Sequence, residues 1–159
     1  RAAPRQAQQA GQQTRQPAAA ALAAPAPRTA AVSAPEAPGP ATGSAATVVA
    51  FLRAQIGKAY VLGAAGPSAY DCSGLTLAAF RQVGVSLPRV SQSQSTVGRQ
   101  VSLGALQPGD ILYWGGAGSA YHVAVYVGGG KYVGAQNSRT GVVERSLSYD
   151  MPTGAVRVL

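Results

Sequence analysis

The chain has 159 residues, with 13 Lys and Arg against 5 Asp and Glu, a formal net charge of +8, one cysteine and one histidine. One cysteine excludes an intramolecular disulfide, and one Cys with one His falls short of the three or four protein ligands of a zinc site, so neither metal nor cofactor is expected. No window approaches the ~20 apolar residues that span a bilayer, which excludes an integral membrane segment within these residues, and scattered basic side chains argue against nucleic acid and for an anionic polymer as partner.

Residues 1–46 are mostly Ala, Pro, Gln and Arg, with Glu36 as the only acid and no aromatic residue. So few large side chains cannot offset the entropy of ordering a backbone, which predicts a disordered, low-complexity tether, extended where Pro is dense. The tether is read as a spacer, with a cover over a cleft as the competing role. Starting at Arg1 without a leader, the chain is read as a mature or trimmed product.

Residues 47–159 suffice for one small domain. In "ATVVAFLRAQIGKAY" the apolar positions Val48, Val49, Phe51, Leu52 and Ile56 form a helical face that Gly57 ends. "CSGLTLAAFRQVG" repeats the pattern with Leu75, Leu77, Ala78, Ala79 and Phe80, stopping at Gly84. "SQSQSTVGRQ" predicts a third, short helix with Ser91 as its N-cap. Strands follow: the apolar run of "LQPGDILYW", two β-rich runs in "YHVAVYVGGGKYVGAQ" joined by Gly128, Gly129 and Gly130, then "GVVERSL" and "GAVRVL". Helices first and an antiparallel meander afterwards predict an α+β domain with N-terminal helices packed on one sheet.

Cys72 and His122 are the candidate chemistry. "YDCSG" puts Cys72 at a helix start, with Asp71 available as the N-cap. The partial positive charge and free N–H groups there are expected to lower the thiol pKa and to stabilise an oxyanion. His122 opens an alternating strand on which His122, Ala124 and Tyr126 share one face and Val123, Val125 and Val127 the other. Singly, such a Cys is core and such a His a hydrogen-bonded strand residue. Together, in an α-then-β domain, they point to a thiol–imidazole pair.

The run "GKAYVLGAAGPSAYDCSGLTLAAFRQVGVSLPRVSQSQ", then "LQPGDILYW", then "HVAVYVGGGKYVGA", resembles the NlpC-type family of papain-like bacterial cell-wall peptidases over residues 47–159. The resemblance implies a reduced papain-like fold and hydrolysis of an amide bond in peptidoglycan stem peptides, usually between D-γ-glutamate and a diamino acid. It also implies a monomer, secreted or associated with the cell wall. Cys72 matches the family's nucleophile and His122 its general base and acid. Tyr60, Asp71 and Ser73 match cleft positions that bind substrate, as does Ser91; packing is the competing role for Tyr60 and helix capping for Ser91.

One position departs from the family's pattern. The third catalytic residue is a polar side chain that orients the imidazole, and an ungapped alignment puts Gly134 there. Gln136, two residues on and on the same strand face, is expected to substitute. The departure keeps open a peptidoglycan-binding or regulatory module with little turnover, and an amidase or acyltransferase on the same scaffold is a third possibility.

Overall fold

The computed structural model describes residues 43–159. The tether expected over 1–46 therefore lies, for residues 1–42, outside the described residues. Helix α1 (Gly43–Gln55) starts four residues ahead of the expected domain boundary and buries Val48, Val49 and Leu52. A two-residue parallel pair follows, β1 (Ala59–Tyr60) with β2 (Ala69–Tyr70). It folds residues 61–68 back so that Asp71 and α2 (Cys72–Arg81) begin beside β1. Two turns of chain later comes the four-residue α3 (Ser91–Gln94).

The remaining strands form one six-stranded antiparallel sheet. They are β3 (Arg99–Val101), β4 (Ile111–Trp114), β5 (His122–Gly128), β6 (Lys131–Ala135), β7 (Val142–Ser146) and β8 (Gly154–Arg157), in the order β3-β8-β4-β5-β6-β7. The expected meander holds only from β4 to β7. The last strand returns across the sheet to pair with β4 and β3. The cause is visible in β4, whose four residues are all buried. A strand buried on both faces lies inside the sheet, where its backbone N–H and C=O groups need partners on both edges, and β8 supplies the second edge with Ala155 and Val156, both buried.

Both faces of the sheet are apolar. α1 and α2 pack Val48, Leu52, Leu75, Ala79 and Phe80 against Val123, Val125 and Val133 on one face. Burial of each larger side chain contributes about 1.5–3 kcal/mol. The other face carries a smaller cluster of Leu112, Trp114, Ala124 and Tyr132, which matches the predicted alternation along β5. Gly74 explains why the helix start tolerates no larger residue there. A Cβ on it would run into the Ala64 carbonyl oxygen and lie 2.9 Å from Asp71 Oδ1. No described helix is long and apolar enough to cross a membrane.

Candidate active site

Asp71 builds the start of α2. Its extended backbone (φ −96°, ψ −179°) lets Oδ1 accept from the Gly74 amide at 2.7 Å, an N-cap, while Oδ2 accepts from the Gly63 amide at 2.8 Å. Arg89 grips the same carboxylate from above, Nη1 donating to Oδ1 at 3.1 Å and Nη2 to Oδ2 at 3.0 Å, with a further bond from Nη1 to Ser73 Oγ at 2.8 Å. Burial alone would lift the Asp71 carboxyl. The Arg89 guanidinium and the Gly74 and Gly63 amides outweigh it and hold the group below the usual carboxylate range. Asp71 is thus a clamp joining the 63–64 turn, α2 and the loop before α3.

Cys72 is the first residue of α2 and half-buried. Burial, with the neighbouring Asp71 charge, pushes the thiol up, and the nearby amides of Val123, Ser73 and Cys72 itself, which favour the thiolate, do not offset it. The expectation of a lowered thiol pKa is therefore corrected. The helix start does favour the thiolate, but desolvation penalises a charge more than the amides of one turn reward it.

His122 opens β5 opposite Trp114 on β4. Its ring packs on the Trp114 indole at 5.1 Å between centroids, and Trp114 in turn packs on Tyr132 at 5.2 Å. Gln136 Oε1 lies 2.9 Å from His122 Nε2. The antiparallel register of Val125 with Val133 and Tyr126 with Tyr132, continued outwards, sets Gly134 opposite Ala124 and Gln136 opposite His122. The Gln136 amide lies over Gly134: a Cβ at 134 would sit 2.5 Å from Oε1. Burial pushes the imidazole down, more than the hydrogen bond to Gln136 and the Asp150 charge raise it. Both shifts favour the uncharged forms, a neutral thiol and a neutral imidazole.

Two cavities meet at Cys72. One, of about 450 Å³, runs along Tyr60, Gly63, Asp71, Ser73, Arg89 and Ser91. The other, of about 260 Å³, is walled by Tyr60, Cys72, Trp114, Tyr121, His122, Gln136 and Asp150. Tyr60, Cys72 and Tyr121 line both. Burial above all, with the Asp71 charge, pushes the Tyr60 phenol up, so it stays a donor at the junction. Cys72, His122, Gln136, Tyr60, Asp71, Ser73 and Ser91 all lie on this bipartite groove.

Ser91 does not cap α3. The N-cap is Val90, which makes no side-chain cap bond. Ser91 is buried, and its hydroxyl donates to the Ala120 carbonyl at 2.8 Å. That bond ties α3 to the segment entering β5, where an interior carbonyl needs a donor more than the solvent-facing amides of α3 do. Arg89, Tyr121, Trp114 and Asp150 were not singled out by sequence reasoning. Only Trp114 left a usable signal there, as the register neighbour of His122.

The family model described as "NlpC/P60 family" matches residues 57–157. The chain is 46% identical over 122 residues to a protein of Corynebacterium glutamicum named "Probable endopeptidase", an alignment covering 76% of this chain and 56% of that protein. It is 38% identical over 91 residues to "Probable endopeptidase p60" of Listeria seeligeri, covering 57% of this chain and 17% of that protein. The chain thus spans about half the length, or less, of these relatives. Among solved structures, the NlpC/p60 domain of the peptidoglycan hydrolase SagA superposes with a TM-score of 0.69 at 36% identity, over 72% of this chain and 98% of that one. The peptidoglycan hydrolase RipB from Mycobacterium tuberculosis superposes with a TM-score of 0.66 at 30% identity, over 73% and 65%. The helices-on-antiparallel-sheet fold is common to all of these structures.

Proposed function

Because the chain belongs to the NlpC/P60 family, we propose that it is a cysteine endopeptidase of bacterial cell-wall peptidoglycan that cuts the D-γ-glutamyl–diamino acid bond of the stem peptide. One observation carries the reading: Cys72 and His122 wall the same cavity while Gln136 Oε1 holds the Nε2 side of the imidazole. An amide oxygen accepts and never donates, so Nε2 bears the ring proton and Nδ1 keeps its lone pair for the thiol.

From the uncharged pair, His122 Nδ1 takes the Cys72 proton as the sulfur attacks the scissile carbonyl. The new C–S bond pushes the carbonyl electrons onto oxygen, where the free amides at the start of α2 stabilise them. Collapse breaks the C–N bond, and the departing amine leaves with the proton from His122. Water then attacks the thioester carbonyl and gives a proton to His122. The C–S bond breaks, and the free acid and the thiol are restored. Gln136 positions the imidazole in place of a side chain at 134. Tyr60, Asp71, Ser73 and Ser91 shape the acyl side of the groove. One chain holds every group used, so the enzyme acts as a monomer. It works at the cell wall after export, where its net positive charge suits an anionic surface.

A binding module without turnover draws its support from Gly134. The Gln136–His122 contact supplies an acceptor without a side chain at 134 and so removes that ground. The test is mass spectrometry of purified peptidoglycan digested with the chain and with Cys72→Ala. The expected products are a free γ-carboxyl on glutamate and a new amino terminus on the diamino acid, both missing with Cys72→Ala. Cleavage at another amide, or none by the unmodified chain, overturns the reading.

A further inference from the structure

One hydrogen bond does not fix an imidazole. Gln136 Oε1, 2.9 Å from His122 Nε2, sets where that nitrogen lies. The ring can still turn about the N–H···O axis, and such a turn swings Nδ1 out of line with its proton donor. A second contact, off that axis, is needed to hold it. The strand register supplies one. Trp114 is the direct cross-strand partner of His122, and the side chains of such a pair stand on the same face of the sheet. The indole and imidazole centroids are 5.1 Å apart with their planes tilted by 50°, within the roughly 4.5–7 Å over which aromatic pairs attract.

Trp114 is itself held on several sides. Its Nε1 donates to the Asp150 carbonyl at 3.1 Å. Its ring packs on the fully buried Tyr132 at 5.2 Å, and Leu112, Ala124 and Ala155 complete the cluster. Only 3% of Trp114 is exposed, whereas His122 is half-buried and lines the smaller cavity. The fixed partner therefore dictates where the freer ring rests. Trp114 also lines that cavity, so contact with substrate alone is the competing role.

We propose that Trp114 is a positioning residue of the reaction, fixing the tilt of the His122 ring that Gln136 leaves free and keeping water from that side of it. The inference rests on the endopeptidase reading for its effect on rate, though not for the contact itself. It adds to Gln136 a second holder that acts by packing and not by a hydrogen bond to the imidazole.

The chain has one histidine, so an NMR titration of imidazole signals reads His122 alone. The variants are Trp114→Phe, which keeps an aromatic ring, and Trp114→Leu, which does not; Trp114→Met, which fills more of the space, replaces Trp114→Leu if the latter does not fold. Kinetics on a D-γ-glutamyl-lysine peptide run alongside. Trp114→Leu is expected to lower kcat by about three- to tenfold, the factor to which the attraction of an aromatic pair converts, with KM little changed. Water admitted beside the ring relieves the burial that pushes the imidazole down. The titration midpoint should therefore rise towards the ordinary value of ~6.5, and the acid limb of kcat/KM with it. The other titratable and charged groups around the ring, namely Cys72, Tyr60, Tyr121, Arg145 and Asp150, are the same in every variant. Trp114→Phe should keep the low midpoint and most of kcat. A midpoint that Trp114→Leu leaves in place, or a loss confined to KM, overturns the inference, because a residue that only touches substrate gives that result. If the unmodified chain cuts no peptide, the endopeptidase reading is what fails, and the titration then decides alone. A midpoint raised in Trp114→Leu and low in Trp114→Phe sustains Trp114 as the holder of the ring; equal midpoints overturn it.

Discussion

Alanine at position 134 would place a methyl group 2.5 Å from Gln136 Oε1 and 2.9 Å from Ala124 Cβ. The strand backbone accepts alanine, so the conflict is one of side chains, and the Gln136 amide is the group free to swing away. His122 Nε2 then loses the acceptor it holds at 2.9 Å. The imidazole is charged while it carries the thiol proton, and a hydrogen bond to a charged group contributes about 1.5–3 kcal/mol. Gly134→Ala should therefore lower kcat/KM by roughly ten- to a hundredfold. Crowding against Ala124 should lower stability by about 1–3 kcal/mol. Gln136→Ala removes the same acceptor without the crowding and should give a similar rate loss with a smaller change in Tm. Because both substitutions break one contact, the double variant should be no slower than the worse single one. Steady-state kinetics on a D-γ-glutamyl-lysine peptide, with thermal unfolding in parallel, makes the comparison. If the two rate losses multiply in the double variant, the coupling of Gly134 and Gln136 through His122 is wrong.

Burial pushes the Cys72 thiol up, so its alkylation by iodoacetamide should rise with pH through a midpoint above the ordinary thiol value of ~8.5; fast alkylation at pH 6 contradicts this. His122 is pushed down by burial and accepts the thiol proton only when neutral. The acid limb of kcat/KM should accordingly fall below the ordinary imidazole value of ~6.5, activity being lost as pH drops through the depressed value. A limb at or above that value counts against His122 as the base in this environment. Asp71→Ala removes an N-cap, strands the Gly63 amide and frees Arg89. It should cost roughly 2–4 kcal/mol of stability by denaturant unfolding. With the Asp71 carboxyl depressed, that contribution is present above the ordinary carboxylate value of ~3.9 and is lost only as pH falls through the lower folded-state value. A variant as stable as the parent at pH 7 refutes the clamp.

What the sequence made legible was periodic. The apolar faces of α1 and α2 and the alternation along β5 each repeat over several residues, so composition and spacing sufficed, and three consecutive glycines marked the β5–β6 hairpin. The β1–β2 pair and β3 span only two or three residues each, too short for any period. Their pairing depends on contacts remote in sequence, and so does the return of β8 to β4. Ser91 failed for a related reason. A serine before a short polar helix has the composition of a cap, but its hydroxyl is used by the Ala120 carbonyl, 29 residues away.

The site divides along the same line. Cys72, His122 and Asp71 carry chemistry in their own side chains, so residue type and local context pointed to them, whereas Gln136 came into view only through the family's third position, which falls on Gly134. The sign of the thiol shift did not follow, because a helix start is a local property whereas burial belongs to the whole packing of α2 on β5. Arg89 and Asp150 are complementary cases. Each is a lone charge in an irregular segment, and what distinguishes them is whether a partner was found in three dimensions. Arg89 meets a buried carboxylate and becomes part of the frame. Asp150 meets no cation within 4.0 Å among the described residues and, exposed beside the cavity that His122 lines, keeps its charge in water.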